Sequence, residues 1–140
     1  MITPVIAGLD ERFGWSPDLG LVVHLVGLAL LISGQGLFTW SMVSNPFFST
    51  GVRIQMDRDH TVSTSGPYKY VRHPGYTGYI TFTIGTSLLL GSFWALIPAG
   101  IIAVLLIIRT VLEDKTLLEE LPGYQAYANR VSWRLLPGFW

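Results

Sequence analysis

The sequence predicts an all-α integral membrane protein with three transmembrane crossings, namely one span followed by a helical hairpin. Half of its 140 residues are hydrophobic and 13% are charged, about half of the usual charged share of a soluble domain. Two long stretches, residues 19–43 and 74–108, contain no Asp, Glu, Lys or Arg. The basic residues are also distributed unevenly around these stretches. Together these features argue against a freely soluble domain.

The first uncharged stretch, residues 19–43, predicts a membrane span. As a helix its 25 residues rise roughly 37 Å, which exceeds the ~30 Å hydrocarbon core. No basic region precedes it as in a secretory signal peptide, and such a peptide has an apolar core of only about 7 to 15 residues. We therefore expect the span to remain in the mature chain.

The second uncharged stretch is too long for one crossing, because its 35 residues would rise about 52 Å as a helix. A bend at Gly91-Ser92 divides it into two helices, at about residues 74–90 and 94–121. Residues 74–121 therefore form a helical hairpin with an extended second helix.

The second helix of the hairpin changes character near Arg109. Beyond this residue, charged side chains alternate with leucines, which is typical of an amphipathic helix leaving the bilayer. Pro122-Gly123 ends the helix, and residues 124–130 form a last short helix. The segment 122–140 is then a cytoplasmic tail.

The basic residues predict how these helices are oriented. One precedes the first span, four lie between the spans, none lies at the hairpin tip and four follow. Cytoplasmic loops carry the basic excess, so residues 44–73 and the tail lie inside. Residues 45–65 of this loop are predicted to form a short interfacial hairpin or an extended segment, with a turn at residues 57–59. The whole chain, residues 1–140, forms a single membrane domain.

The overall charge and the cysteine content exclude several classes of function. Nine basic and nine acidic residues cancel, so no overall field recruits nucleic acid. The chain has no cysteine, which excludes a disulfide, a thiolate nucleophile and a cysteine-ligated zinc site.

Residues 65–79, SGPYKYVRHPGYTGY, form an unusual segment at the predicted water boundary. Pro74 suits the first position of a helix, whose unpaired backbone N–H groups attract carboxylates and phosphates. Arg72 and His73 add donors, while Tyr76 and Tyr79 share a helical face and offer rings to a cation or a purine. Alternatively, these basic residues and tyrosines are membrane anchors.

A second group of polar residues lies on the amphipathic helix. Arg109 and Glu113 are four residues apart and are therefore neighbours on one face, with Asp114 beside them. Arg109 ends an apolar run, so we expect it to face a polar cavity in the helix bundle. The alternative is an exposed pair of little energetic value. The predicted topology brings both groups to the cytoplasmic face.

The first span carries two further features. His24 is expected to lie at the outer headgroup level or to bond across helices. Gly20, Gly27 and Gly34 recur every seven residues, which indicates a face for close helix packing.

These motifs resemble the isoprenylcysteine carboxyl methyltransferases and their bacterial relatives, which include phospholipid N-methyltransferases. The resemblance covers nearly the whole chain. The segment 9–15 is similar to the loop that precedes a late span in the bacterial members. The members usually have five or more spans, against three predicted here, and many have Glu at the position of Asp114. The residues that carry the resemblance are 65–68, 71–78, Arg109, Glu113, Asp114, Gly123, Tyr124, Tyr127, Arg130, Val131 and 134–138.

The resemblance implies S-adenosylmethionine as the cofactor and a methyl transfer that requires no metal. The carboxylate of this molecule suits a helix N-terminus, and its ammonium group suits a carboxylate. Its sulfonium and its purine suit tyrosine rings. By the resemblance, the cofactor-binding residues are Tyr70, Val71, Arg72, His73, Pro74, Tyr76, Gly78 and Glu113. The candidate catalytic residues are Arg72, Arg109 and Glu113.

The methyl acceptor implied by the resemblance is lipid-like and reaches the site from the bilayer. For a prenylcysteine-like carboxylate, Arg72 and Arg109 would orient the anion. For a lipid amine, Glu113 or Asp114 would take the proton. We expect a prokaryotic inner (plasma) membrane with the site facing the cytoplasm. The competing interpretations are an NADPH-dependent sterol-type reductase and a non-catalytic membrane scaffold.

Overall fold

The computed structural model of the protein describes residues 2–48 and 61–140, and within these ranges all regular structure is helical. The predicted all-α class is confirmed there. The turn predicted at residues 57–59 lies outside the described residues. The helices are α1 (Thr3–Phe13), α2 (Gly20–Ser44), a 3₁₀ helix (Gly66–Lys69), α3 (Pro74–Leu89), α4 (Leu96–Glu120) and α5 (Tyr124–Arg130).

Two of these helices, α2 and α4, are long and apolar enough to cross a membrane. Each has 25 residues, and their most apolar windows have mean hydropathies of 2.0 and 2.2. Helix α3 has 16 residues and rises about 24 Å, less than the ~30 Å hydrocarbon core. The third crossing therefore stays a prediction. The predicted helix boundaries agree with the observed ones to within two residues.

The described chain divides into two compact units. The first comprises the described residues of Met1–Gly36 together with Gly78–Leu106, and the second comprises those of Leu37–Thr77 together with Ile107–Trp140.

Within the first unit, α2 and α3 approach so closely that glycine is required. A Cβ atom at Gly27 would collide with the backbone of Leu88 and Leu89, and one at Gly34 would collide with the backbone of Phe82. The predicted packing face is confirmed at these two positions but was wrong at Gly20, where an added Cβ would meet no atom within 4 Å. His24 Nδ1 lies 2.9 Å from the carbonyl oxygen of Leu89. Because a carbonyl oxygen only accepts, Nδ1 carries the proton, and His24 bonds across helices as one of its two predicted roles requires.

Helix α1 corrects the expectation that residues 9–15 form a loop, because most of this segment is helical. The helix ends at Gly14, whose φ of 63° is left-handed. Asp10 on α1 is 2% exposed and accepts hydrogen bonds from Ser16 N at 2.7 Å, Ser16 Oγ at 2.6 Å and Ser92 Oγ. Ser92 Oγ in turn accepts from Ala95 N at 3.0 Å. Asp10 thus holds α1 against the turn that precedes α4.

Within the second unit, the C-terminal tail packs against the segment that precedes α3. The buried residues Leu121, Tyr124, Tyr127 and Val131 form an apolar cluster at α5. The tail closes on itself, because the carbonyl oxygen of Trp140 accepts from the backbone N–H groups of residues 134 and 135 at 2.9 and 3.0 Å. This arrangement positions the polar groups described next.

The packing of α2 on α3 predicts different effects for two glycines of the same helix. We expect Gly34→Ala to destabilise the protein by about 1–3 kcal/mol, because the added Cβ forces the backbones apart. Gly36→Ala is the matched control, since a Cβ at Gly36 meets no atom within 4 Å. Thermal unfolding in detergent measures both variants. Equal stabilities would contradict the described packing.

Candidate functional site

A buried carboxylate on α4 forms the centre of the second unit. Asp114 is 1% exposed, and its two oxygens accept from four side chains. Oδ1 lies 3.0 Å from His73 Nε2 and 2.7 Å from the hydroxyl of Tyr124. Oδ2 lies 3.1 Å from Arg72 Nη1 and 2.8 Å from Arg134 Nε. Nε2 of His73 carries a proton in this arrangement, because a carboxylate oxygen only accepts.

The backbone explains why these donors converge. Pro74 begins α3, as predicted, and disfavours helical geometry at His73. The N–H groups of Arg72 and His73 donate to the carbonyl oxygens of Trp133 and Arg134, both at 2.9 Å. The tail thus satisfies both groups, and it delivers the Arg134 side chain to the same carboxylate. The N–H groups predicted to be unpaired at the start of α3 are partly satisfied as well, since those of residues 76 and 77 donate to the carbonyl oxygen of His73 at 3.1 and 3.3 Å.

Asp114 and its four partners, Arg72, His73, Tyr124 and Arg134, are called the Asp114 cluster below. Burial strengthens the interactions in this cluster, but it also makes the loss of any one partner costly. The side chains of Arg72 and His73 are only 7% and 5% exposed. A buried carboxylate is tolerated when cations and hydrogen bonds satisfy it, whereas loss of one partner leaves an uncompensated charge. Burial, together with the hydrogen bond to Asp114, raises the pKa of Tyr124 far above its usual value. The cluster is therefore a fixed structural centre.

A second, partly exposed group lies beside the Asp114 cluster. The hydroxyl of Tyr76 donates to Glu113 Oε2 at 2.5 Å, and Arg109 Nε lies 3.6 Å from the same oxygen. The Arg109 guanidinium carbon is 5.6 Å from the centroid of the Tyr76 ring. The side chains of Arg109 and Glu113 are 31% and 23% exposed. These two charged groups are thus accessible to a ligand, unlike the buried side chains of Arg72 and His73.

The ring of Tyr76 connects the two groups. It lies parallel to the His73 imidazole, with an interplanar angle of 3° and a centroid separation of 5.6 Å. His73 bonds to Asp114, and Tyr76 bonds to Glu113, so one chain of contacts joins the two acidic residues. Residues predicted from separate motifs therefore lie together, with Asp114 rather than Glu113 as the direct partner of His73.

The other predicted cofactor-binding residues have different environments. Val71 and Pro74 are buried, whereas Tyr70 is 63% exposed. Gly78 belongs to the first unit, where its carbonyl oxygen lies close to the position that a Cβ on Gly34 would occupy. Tyr79, also in the first unit, lies beside the ring of Phe82 with centroids 6.2 Å apart.

Sequence reasoning did not assign roles to Tyr124 and Arg134. Both belong to motifs that carried the family resemblance, and both bond to Asp114. A usable signal was the position of Asp114 at the end of an apolar helix, since a carboxylate buried there requires several donors.

Comparison with known proteins identifies the family. The model of the isoprenylcysteine carboxyl methyltransferase (ICMT) family matches residues 26–119, which is more than half of the chain. The helical fold with its two membrane-length helices agrees with this match. The chain belongs to the ICMT family, which confirms the resemblance, and is an integral membrane protein. No solved structure matches it.

Several curated relatives carry the name protein-S-isoprenylcysteine O-methyltransferase. The Schizosaccharomyces pombe protein is 40% identical over 73 residues, which are 51% of this chain and 31% of the relative. The Saccharomyces cerevisiae protein is 31% identical over 115 residues, 76% of this chain and 46% of the relative. A probable enzyme of this name from Oryza sativa subsp. indica is 27% identical over 117 residues, 78% of this chain and 59% of the relative. The chain therefore spans about a third to three fifths of these relatives.

The Asp114 cluster predicts a large loss of stability on neutralisation. We expect Asp114→Asn to lower the free energy of unfolding by about 3–5 kcal/mol, because the buried guanidinium of Arg72 loses its counter-charge. Glu119→Gln on the same helix is the control, since Glu119 is 61% exposed and pairs with Lys115 at 3.9 Å. This exposed pair is worth no more than about 1 kcal/mol. Similar losses in urea unfolding of the two variants would contradict the role of Asp114.

The buried tyrosines predict a loss of stability at alkaline pH. Burial raises the pKa values of Tyr68, Tyr124 and Tyr127 in the folded protein. Above the unfolded value of about 10, the unfolded chain releases these protons while the folded chain retains them. The stability is therefore full below pH 10 and falls as the pH rises further. Tyrosinate absorbance and the unfolding midpoint measure this effect.

A tyrosine substitution tests the source of the alkaline effect. Tyr124→Phe removes one of the retained protons and is expected to reduce the slope of stability against pH. Stability that does not fall above pH 10 would contradict the buried state of these phenols.

Proposed function

We propose that the chain is an S-adenosylmethionine-dependent methyltransferase that transfers a methyl group to the carboxylate of a prenylcysteine-like, lipophilic acceptor. The observation that carries the proposal is the continuous set of contacts from His73 through Tyr76 to Glu113 and Arg109. These contacts bring together two motifs of the resemblance, at residues 72–76 and 109–114, within the second unit. The names of the curated relatives support the same acceptor.

The proposed topology has three crossings, with α3 as the second. The basic residues at 69, 72, 130 and 134 lie outside α2 and α4, and the positive-inside rule assigns them to the cytoplasm. The site then lies at the cytoplasmic boundary, where α4 changes from apolar to amphipathic. A cofactor enters it from water and an acceptor from the bilayer. The predicted location is a prokaryotic plasma membrane.

The proposed site has an anchoring part and a ligand-binding part. Arg72 and His73 are buried and bonded to Asp114, so we assign them to positioning. Arg109, Tyr76 and Glu113 are the partly exposed groups that contact ligands, and Arg72 adds one contact through its Nε. Nε of Arg72 is buried and has no hydrogen-bond partner among the described residues.

The residues present fit the cofactor. Glu113 offers a partly exposed carboxylate for the ammonium group, and the unpartnered Nε of Arg72 is a donor that suits a carboxylate. The ring of Tyr76 suits a cationic sulfonium. Tyr70, Val71, Pro74 and Gly78 complete the proposed binding set. When bound, S-adenosylmethionine supplies an electrophilic methyl group.

The charges of the site favour a carboxylate over an amine as the acceptor. A carboxylate attacks without losing a proton, so it needs orientation rather than a general base. The guanidinium of Arg109 can orient it. An amine would need a base. Asp114 is a poor candidate because four donors already surround its oxygens, and Glu113 is assigned to the ammonium group of the cofactor. The lipid-amine acceptor is therefore the second choice.

Titration calorimetry of the protein in detergent tests the cofactor. We expect heat with S-adenosylmethionine and with S-adenosylhomocysteine but not with NADPH. Glu113→Gln is expected to weaken binding about 10- to 100-fold, because it removes a charge-assisted contact. Glu119→Gln is the matched control on the same helix. Heat with NADPH alone would indicate the reductase, and silence with all three ligands would indicate the scaffold.

Transfer of labelled methyl groups to a farnesylcysteine derivative tests the acceptor. We expect Arg109→Gln to raise KM for this acceptor about tenfold or more, because the carboxylate loses its cationic partner, while the affinity for the cofactor changes little. Lys115→Gln is the control, since Lys115 is 73% exposed. An unchanged KM in Arg109→Gln would contradict the assigned role, and methylation of lipid amines alone would contradict the acceptor.

A further inference from the structure

A cavity in the second unit lies outside the set of contacts described above. Its volume is about 290 Å³. Segments before and within the 3₁₀ helix form one side, and α5 with the residue after it forms the other. The residues that line it are Thr64, Tyr68, Lys69, Tyr127, Arg130 and Val131.

The buried wall of the cavity is rigid. Tyr68 and Tyr127 are 7% and 4% exposed, and the hydroxyl of Tyr127 donates to the carbonyl oxygen of Tyr68 at 2.8 Å. The amide of Asn45 lies 3.4 Å from the hydroxyl of Tyr68. The shape of the cavity is therefore fixed before any ligand binds, which lowers the entropic cost of binding.

The open side of the cavity carries two cations without an acidic partner. Lys69 and Arg130 are exposed, and neither forms an ion pair in the part of the chain that the structure describes. The basic residues Arg72, Arg134 and Lys115 all have carboxylate partners. The cavity is therefore a local concentration of uncompensated positive charge, which favours an anion as a ligand.

Exposed aromatic residues beside the cavity indicate where this anion comes from. Tyr70, next to Lys69, is 63% exposed, and Trp133, three residues after Arg130, is 40% exposed. The N–H of Arg72 donates to the carbonyl oxygen of Trp133 at 2.9 Å, so the two chain segments are adjacent. Exposed Tyr and Trp beside Lys and Arg are typical of the membrane–water interface.

We propose that this cavity binds the phosphate of an anionic lipid headgroup. Arg130 offers a bidentate donor, Lys69 a point charge and Thr64 a hydroxyl, which together suit phosphate oxygens. The exposed rings of Tyr70 and Trp133 suit the headgroup region of a membrane and therefore favour a lipid over a free phosphate ion. The site does not depend on methyl transfer.

The test titrates short-chain phosphatidylglycerol, phosphatidylcholine and inorganic phosphate separately into the full chain in neutral detergent, with binding followed by native mass spectrometry. We expect phosphatidylglycerol to bind at least tenfold more tightly than the other two. Lys69→Gln and Arg130→Gln are each expected to weaken this binding about tenfold, and Lys115→Gln to change it less than twofold.

Three results would overturn the proposal. Equal losses in Lys69→Gln and Lys115→Gln would indicate a general effect of charge. Inorganic phosphate that binds as tightly as phosphatidylglycerol would indicate a free anion as the ligand. The third result is a parallel loss of S-adenosylmethionine affinity in Arg130→Gln, which would assign the cavity to the cofactor. Loss of lipid binding with unchanged cofactor affinity would support the proposal even if the chain proved not to be a methyltransferase.

Discussion

The buried carboxylate of Asp114 is the constraint on which the second unit depends. Its oxygens accept from Arg72 and His73 before α3, from Tyr124 on α5 and from Arg134 in the tail. A carboxylate as buried as that of Asp114 is stable only when several donors satisfy it. The short distances fix the relative positions of segments that are far apart in the sequence, and the backbone bonds between residues 72–73 and 133–134 follow the same geometry.

Because of this constraint, the neighbouring carboxylates of Asp114 and Glu113 have different roles. Successive residues of an α-helix point about 100° apart, so Asp114 turns toward the basic cluster while Glu113 lies at a partly exposed face with Tyr76 and Arg109. The buried carboxylate of Asp114 holds the surrounding segments together, and the partly exposed carboxylate of Glu113 is available to a ligand. In the proposed enzyme, Asp114 thus fixes the helix so that Glu113 faces a ligand.

Hydropathy and turn residues predicted most of the fold. Long uncharged stretches and Gly91, Pro74 and Gly123 placed α2 to α5 within two residues, because these signals are local. Helix α1 was missed because its 11 residues are too few to form a long apolar stretch. Its helix is held by tertiary contacts of Asp10 with Ser16 and Ser92, which no local pattern shows.

The sequence predicted which residues belong to the candidate site better than it predicted which of them contact each other. The box at residues 72–76 and the residues 109, 113 and 114 were selected correctly as neighbours, because the predicted topology brought them to one end of the hairpin. Which acid faces His73 depends on helix rotation, and the donors Tyr124 and Arg134 depend on how the tail folds back. Both are tertiary properties that the spacing of residues does not encode.

Hydrogen–deuterium exchange of Asp114→Asn tests the central role of Asp114 most directly. The protection of residues 70–77 and of residues 131–136 should fall together, because both segments are held by the same carboxylate, while Gly27 and its neighbours in the first unit keep their protection. Unchanged exchange in either segment would contradict the account.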